Sequence, residues 1–214
     1  MKISVIMASF LGSFYNSSRT NREAKFVRAI KSFLNQKHQD KEIIIVADGC
    51  DVTEKLYNVH FKSNPQVIFF KSMKMETYAG GIRNAGLKLA KGDIITYLDN
   101  DDVIEKNHLK TIHDQFTEDV DWVYYDDYLV LNKQFSKVQK RHVELRYGQV
   151  GTSSISHRNL KKLGIKTDLW RTGYGHDFCT AFALNSLGLR YKKIENPPKY
   201  YVCHYGSPTN GGDF

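Results

Sequence analysis

The chain lacks the features that mark membrane-spanning and disulfide-rich proteins. Its 214 residues contain no apolar run that approaches the ~20 residues of a membrane-spanning helix. The three cysteines, Cys50, Cys179 and Cys203, are odd in number and widely spaced. That pattern excludes a framework of paired disulfides and indicates free thiols in a reducing, cytoplasmic compartment. An internal repeat and a domain linker are also missing, so we predict a single domain.

Acidic residues are in the minority, because 23 Asp and Glu stand against 31 Lys and Arg, for a net charge of +8. Such an excess is explained either by lysines on solvated helix faces or by attraction to a polyanion or an anionic membrane surface. The basic residues are scattered along the chain. We therefore predict no nucleic-acid partner and no membrane span, and leave peripheral contact with a membrane open.

Short apolar runs alternate with helical patterns through the first half of the chain, which predicts a parallel α/β sheet. We interpret the first run as an N-terminal strand. The run is too short for a signal peptide and lacks a convincing cleavage site. The predicted strands are residues 1–9, 43–47, 67–70 and 94–98. In the second half we predict one long or bent strand at 122–131, a short helix at 159–163, a longer helix at 177–187 and a mobile tail at 205–214.

Carboxylates follow the strand at 94–98 directly, as Asp99-Asn100-Asp101-Asp102. Several negative charges at one edge of a sheet repel each other unless a cation lies between them. Oxygen ligands suit Mg²⁺ or Mn²⁺ better than zinc. Polar residues also end two other strands, at Ala8-Ser9-Phe10 and at Asp48. The carboxyl ends of parallel strands meet at one edge, so these three features together predict a nucleotide site, although Asp48 alone could be an ordinary turn residue.

Five segments follow one another in a characteristic order: SVIMASF (4–10), RAIKSFLNQ (28–36), EIIIVADG (42–49), RNAGLKLAKGD (83–93) and YLDNDD (97–102). This ordered series resembles glycosyltransferase family 2. The resemblance is dense over residues 3–105 and sparse afterwards. It implies the GT-A, or nucleotide-diphospho-sugar transferase, fold: an α/β domain with a mainly parallel central sheet flanked by helices. Residues 1–105 would form the nucleotide-sugar-binding half and residues 106–204 the acceptor-binding half.

The resemblance also implies roles for the residues at the strand ends. Ala8, Ser9 and Phe10 would line the base pocket, and Asp48 would contact uracil or an equivalent base. Arg83 would be the donor-site arginine, and Asp99 would lie near the ribose and the donor sugar. Asn100 would be a spacer whose amide can still hydrogen-bond. Asp101, the second carboxylate of the D-x-D pattern, would bind Mn²⁺ or Mg²⁺.

In the second half the resemblance assigns a catalytic carboxylate to the start of a late helix. Asp177 is the matching residue and would act as general base, unless it only caps the helix. His176 stands where glutamate is common, and could share a proton with Asp177 or contact the acceptor. Trp170 and Tyr174 either stack on an acceptor sugar or belong to the core.

Two further residues have alternative roles. Asp102 could bind metal or cap the following helix. His204 could be an extra metal ligand or a structural histidine.

The sequence therefore predicts a metal-dependent, inverting hexosyl- or deoxyhexosyltransferase that moves a sugar from a UDP-sugar donor to a hydroxyl of a glycan or glycoconjugate. A sugar-phosphate nucleotidyltransferase is one alternative. Such enzymes carry a Gly-rich basic loop after the first strand, whereas residues 11–15 read LGSFY. A catalytically inert carbohydrate- or nucleotide-binding module is the other alternative.

Overall fold

A seven-stranded sheet forms the centre of the computed structural model, which describes residues 1–12, 21–75, 79–166, 168–171, 173 and 175–203. The described helices are α1 (Arg22–Leu34), α2 (Asp51–His60), α3 (Gly80–Leu89), α4 (His108–His113) and α5 (His176–Ser186), with a 3₁₀ turn at Thr152–Ser154. The described strands are β1 (Ile3–Ser9), β2 (Lys41–Asp48), β3 (Val67–Ser72), β4 (Ile94–Tyr97), β5 (Val103–Ile104), β6 (Trp122–Tyr124), β7 (Asp127–Val130), β8 (Val138–Arg141), β9 (Ile155–Arg158), β10 (Tyr191–Lys193) and β11 (Tyr200–Cys203).

The central sheet is mainly parallel, as the sequence predicts. Its strand order is β10-β6-β9-β4-β1-β2-β3, and only β9 runs antiparallel to its two neighbours. Strands from both predicted halves of the chain share this sheet, which makes the described residues one domain. Because β1, β2, β3 and β4 are parallel, their carboxyl ends lie at the same edge.

The central strands are apolar on both faces because helices cover both faces. Ile43 and Ile45 of β2 pack in the same core cluster as Phe26 and Phe33 of α1. The alternate residues of β1 and β2 pack in a second cluster with α3. Gly86 of α3 lies so close to β1 that a Cβ there would come within 2.6 Å of the Ile6 side chain. The small residues of α3 therefore let it pack tightly on the sheet.

The prediction of one strand at residues 122–131 is wrong. Residues 122–124 form β6 in the central sheet, whereas β7 belongs to a second, four-stranded sheet of order β5-β11-β7-β8. The chain changes sheets at Asp126 and Asp127, whose carboxylates are buried and satisfied. Asp126 accepts a 3.0 Å hydrogen bond from the Val143 amide, and Asp127 forms an ion pair with Arg141.

The predicted helix at 159–163 is also wrong, since this segment consists of turns. The Asn159 side chain accepts a hydrogen bond from the Lys161 amide and donates one to the Gly92 carbonyl, so it competes with helix formation. Gly164 then closes the turn at φ +75°. The predicted tail at 205–214 lies outside the described residues. Among the described helices, none is long and apolar enough to cross a membrane.

Candidate active site

A cavity of about 600 Å³ opens where β1, β2 and β4 end. It contains every residue that the sequence predicts to bind the nucleotide sugar, together with Asp101 and His176. The lining residues are Ala8, Ser9, Phe10, Arg22, Asp48, Lys74, Met75, Ala79, Ile82, Arg83, Asp99, Asn100, Asp101 and His176. The parallel strands β1, β2, β3 and β4 thus bring the residues at or after their carboxyl ends, at 8–10, 48, 74–75 and 99–101, to one place.

Asp48 ends β2 and has both carboxylate oxygens engaged. The Met75 amide donates a 2.6 Å hydrogen bond to Oδ1, and the Lys74 ammonium pairs with Oδ2. The same ammonium lies 4.3 Å from the centroid of the Phe10 ring. The sequence reasoning missed Lys74 and Met75, although both follow β3 at the same sheet edge, where the strand-end rule would have found them.

Ser9 and Asn100 are joined directly. The Asn100 amide donates a 3.1 Å hydrogen bond to Ser9 Oγ, which in turn lies 3.1 Å from Thr53 Oγ1 in α2. Asn100 is therefore more than a spacer, because its side chain connects the acidic segment after β4 to the end of β1.

Arg83 is the central cation of the site. It is buried in α3, and its Nη2 lies 2.9 Å from Asp99 Oδ1. Its guanidinium also lies 4.7 Å from the centroid of the Trp170 ring. Burial, with the nearby charges of Asp101 and Asp177, raises the pKa of Asp99, while Arg83 opposes that rise.

Trp170 is only 2% exposed, which favours the core alternative over stacking on an acceptor sugar. Its backbone N–H donates to Asn84 Oδ1 at 2.9 Å, and its carbonyl accepts from Asn84 Nδ2 at 2.7 Å. Its indole N–H donates to the Tyr97 hydroxyl at 3.0 Å. We infer that the buried Trp170 ring helps to position the Arg83 guanidinium that it contacts. Tyr174 lies outside the described residues.

The Trp170 indole begins a chain of hydrogen bonds that runs through Tyr97 and His157 to the Arg158 carbonyl, and each group donates to the next. Burial lowers the pKa of His157 to about 4, so its ring is neutral at physiological pH. Nδ1–H donates to the Arg158 carbonyl at 2.7 Å, which leaves Nε2 as the acceptor for the Tyr97 hydroxyl, also at 2.7 Å. Tyr97 thus donates to His157 and accepts from Trp170. The sequence shows no pattern that links these three rings.

Asp177 lies in the first turn of α5 but does not cap it, because the N-cap residue is Gly175. The capping alternative is therefore wrong. Oδ1 accepts a 2.6 Å hydrogen bond from the Thr152 hydroxyl, lies 2.9 Å from His176 Nδ1 and lies 3.8 Å from Arg83 Nη1. In the described part of the chain, Oδ2 has no hydrogen-bond partner.

The Asp177 carboxylate is ionised at neutral pH. Burial raises its pKa, but the hydrogen bond from His176, the charge of Arg83 and the Thr152 hydroxyl together bring the pKa below its ordinary value. An ionised carboxylate with one anchored and one open oxygen is suited to accept a proton. Thr152 was missed at the sequence level, since a threonine before Ser153 carries no distinctive signal.

Asp101 and Asp102 differ in their surroundings. Asp101 lines the cavity, and its backbone carbonyl accepts a 2.8 Å hydrogen bond from Arg28. Asp102 is buried and accepts a 2.8 Å hydrogen bond from the Cys203 amide in β11. The alternative that Asp102 caps the next helix is wrong, because α4 begins at His108 and its N-cap residue is Asn107.

The acidic segment has the donors that a hard cation requires. Burial and the charges of Asp101 and Asp99 raise the pKa of Asp102 well above its usual range, which reflects the crowding of negative charge here. Among the described residues, no three His, Cys, Asp or Glu side chains form a closed metal cage. An open, all-oxygen site completed by a diphosphate fits Mg²⁺ or Mn²⁺. His204 lies outside the described residues.

Comparison with known proteins identifies the family. The sequence model described as Glycosyl transferase family 2 matches residues 13–189. The chain belongs to this family. It is 30% identical over 118 residues to the GalNAc(5)-diNAcBac-PP-undecaprenol beta-1,3-glucosyltransferase of Campylobacter jejuni, a match of 55% of this chain and 35% of that protein. It is 32% identical over 115 residues to the poly(ribitol-phosphate) beta-N-acetylglucosaminyltransferase TarP of Staphylococcus aureus, a match of 52% of this chain and 32% of that protein. The chain thus aligns with about a third of each relative.

Solved structures confirm the predicted GT-A fold. S. aureus TarS 1-349 in complex with UDP-GlcNAc superposes with a TM-score of 0.69 at 17% identity, covering 95% of this chain and 58% of that one. The mannosyltransferase PcManGT from Pyrobaculum calidifontis, in complex with GDP-Man and Mn2+, superposes with a TM-score of 0.66 at 12% identity, covering 94% of this chain and 56% of that one.

Proposed function

We propose that this chain transfers a sugar from a nucleoside-diphosphate donor, with uracil as the base, to a hydroxyl of a glycan or glycoconjugate, with inversion at the anomeric carbon. One observation carries the proposal: the base and sugar residues expected from the sequence line a single cavity together with Asp101, and His176 of that cavity contacts the Asp177 carboxylate. The names of the relatives support it, since TarS was solved with UDP-GlcNAc and PcManGT with GDP-Man and Mn2+.

The donor would bind to the cavity residues at the ends of β1, β2 and β4. Phe10 offers a ring face for the base, and Asp48 offers a carboxylate to a base N–H. Ala8 and Ser9 line the pocket beside them. Asp99, held by Arg83, would face the ribose and the donor sugar.

The diphosphate would lie between Arg83 and Asp101. When bound, Mn²⁺ or Mg²⁺ would neutralise charge on the departing diphosphate, with Asp101 as its protein ligand. Arg83 contributes a permanent positive charge from a buried position, where its attraction for a developing anion is screened little by water. Asn84, the next residue of the same helix, exchanges two hydrogen bonds with the Trp170 backbone and so joins α3 to the segment that contacts Arg83.

Asp177 would act as the general base. Its open Oδ2 takes the proton of the acceptor hydroxyl while the hydroxyl oxygen bonds to the anomeric carbon. The bond from that carbon to the diphosphate oxygen breaks on the opposite face, and the nucleoside diphosphate leaves. The attack from the opposite face inverts the configuration. Base assistance of this kind contributes roughly 10²–10⁴-fold in rate. His176, which lines the cavity, would stand beside the acceptor.

Release of nucleoside diphosphate from a panel of sugar nucleotides, with Mn²⁺ and candidate acceptors, tests the proposal. Asp177→Asn should lower kcat by about 10²–10⁴-fold and leave the donor Kd unchanged. Asp168→Asn is the matched control, because the exposed Asp168 pairs with Lys88 outside the cavity. Binding of donors without turnover under any condition would favour an inert module. Release of pyrophosphate from a nucleoside triphosphate and a sugar phosphate would show a nucleotidyltransferase instead.

The metal role is tested separately by titrating Mn²⁺ at fixed UDP. In the wild type the affinity for UDP should rise with Mn²⁺. Asp101→Ala should bind UDP with the same weak affinity at every Mn²⁺ concentration. Asp114→Ala is the control, since Asp114 pairs with Lys110 on the surface at the end of α4. If the affinity of Asp101→Ala for UDP still rose with Mn²⁺, Asp101 would not be a metal ligand.

A further inference from the structure

Lys74 is placed to read the base of the donor. Its ammonium touches two groups of the cavity that have complementary functions: the Asp48 carboxylate, which can only accept hydrogen bonds when ionised, and the Phe10 ring, on which a base can stack. The second oxygen of Asp48 is held by the Met75 amide at 2.6 Å. The carboxylate therefore has a set orientation, with Oδ2 toward the ammonium.

The backbone of Lys74 is fixed while its side chain can move. Gly49 has φ +60°, and a Cβ at this position would lie 2.9 Å from both the nitrogen and the Cβ of Lys74. The chain after β3 thus packs directly on the turn after Asp48. The Lys74 side chain is 48% exposed and lines the cavity. Its ammonium can leave the face of the Phe10 ring and still reach the edge of a base that stacks there.

We propose that Lys74 is a specificity-determining residue that selects uracil over cytosine, an inference that rests on the proposed function. Lys74 and Asp48 form an ion pair with each other. Uracil presents its N3–H beside the O4 carbonyl, so it can donate to Asp48 and accept from Lys74 at O4, the position at which cytosine differs. Cytosine presents the reverse pattern, a ring nitrogen acceptor beside an amino donor. It would set acceptor against acceptor at Asp48 and donor against donor at Lys74.

The binding ratio of UDP to CDP isolates this effect, because the two ligands have the same ribose and diphosphate. Isothermal titration calorimetry at one Mn²⁺ concentration gives both Kd values. The wild type should bind UDP at least about tenfold more tightly than CDP, and Lys74→Met should reduce that ratio by about tenfold, the value of one charge-assisted hydrogen bond. Lys74→Arg retains a cationic donor and should keep the preference. Lys71→Met is the matched control, because Lys71 of β3 pairs with Asp51 and Glu54 outside the cavity.

The outcomes separate this inference from the proposed function. If Lys74→Met binds UDP and CDP with the wild-type ratio, or weakens both equally, Lys74 does not read the base and the inference is overturned. If the folded wild type binds neither UDP nor CDP, the proposed donor site itself is overturned. Should Lys74→Met fail to fold by circular dichroism, Lys74→Gln serves instead; its amide can donate to uracil or accept from cytosine, so its UDP-to-CDP ratio should also fall.

Discussion

The Thr152 hydroxyl donates a 2.6 Å hydrogen bond to Oδ1 of Asp177, across 25 positions of sequence. Thr152 is itself held in place, since the 3₁₀ turn that begins with it is anchored by the buried Asp127. Ser153 and Ser154 both donate to Oδ2 of that carboxylate, at 2.5 and 3.0 Å. Thr152 thus holds Oδ1 of Asp177, while Oδ2 has no hydrogen-bond partner among the described residues and is left to accept a proton.

Removal of this hydroxyl should slow catalysis and shift its pH dependence. The hydrogen bond helps to lower the pKa of Asp177, so Thr152→Val should raise that pKa and move the acid limb of the kcat/KM profile to higher pH. The loss of one charge-assisted hydrogen bond should lower kcat by about tenfold, while the donor Kd stays constant.

Thr152→Ser, which restores the hydroxyl, should recover both the rate and the acid limb. A Thr152→Val variant with the wild-type acid limb and kcat would show that the hydrogen bond is only structural. The donor Kd, measured in parallel by calorimetry, reports whether the cavity is intact in each variant.

Tyr97→Phe should destabilise the fold, because the buried Tyr97 hydroxyl joins Trp170 to His157. The variant removes the hydroxyl between Trp170 and His157 and leaves the indole N–H and the imidazole Nε2 buried without partners. We expect the free energy of unfolding to fall by about 1–3 kcal/mol in urea titrations. Tyr191→Phe is the control, because Tyr191 is 50% exposed and its loss should stay within about 0.5 kcal/mol. Equal stability of the two variants would show that the hydrogen bonds of the Tyr97 hydroxyl to Trp170 and His157 do not stabilise the fold.

Stability should decrease on mild acidification because of His157. Its pKa in the folded protein is about 4, against 6.5 for an ordinary histidine. Between these values the unfolded chain binds a proton that the folded chain does not bind. The free energy of unfolding should therefore fall as pH decreases from 6.5 toward 4, with a slope of about 1.4 kcal/mol per pH unit from this residue.

Urea unfolding at several pH values measures that slope. His157→Gln should lose stability at neutral pH, since Gln cannot accept from Tyr97 and donate to the Arg158 carbonyl in the same geometry, but its unfolding free energy should vary less between pH 6.5 and 4. A variant with the wild-type slope would assign the acid sensitivity to other groups.

The donor-binding residues could be predicted from the sequence because each of them lies at the end of one short, recognisable segment. An apolar run of five or more residues ending in Asp48, or in the Asp99–Asp102 cluster, specifies both a buried strand and the polar residue at its end. Parallel strands then place those ends at one edge whatever the details of packing. The fold, the family and the predicted donor residues therefore follow from patterns within short segments, whereas Lys74 and Met75 of the same cavity were missed.

The roles of several residues in the second half of the chain could not be predicted, because they depend on contacts between segments that are distant in sequence. Arg83 lies near His176 although 93 positions separate them, and Asp102 is buried because β11 arrives from 101 positions away. Whether Trp170 faces an acceptor or supports Arg83 is decided by Tyr97 and Asn84, which no local pattern connects to it. Hydrophobic periodicity and the polar residues at strand ends predict the secondary structure of a single segment. The burial of a polar group depends on its partners, and only the folded chain brings those partners together.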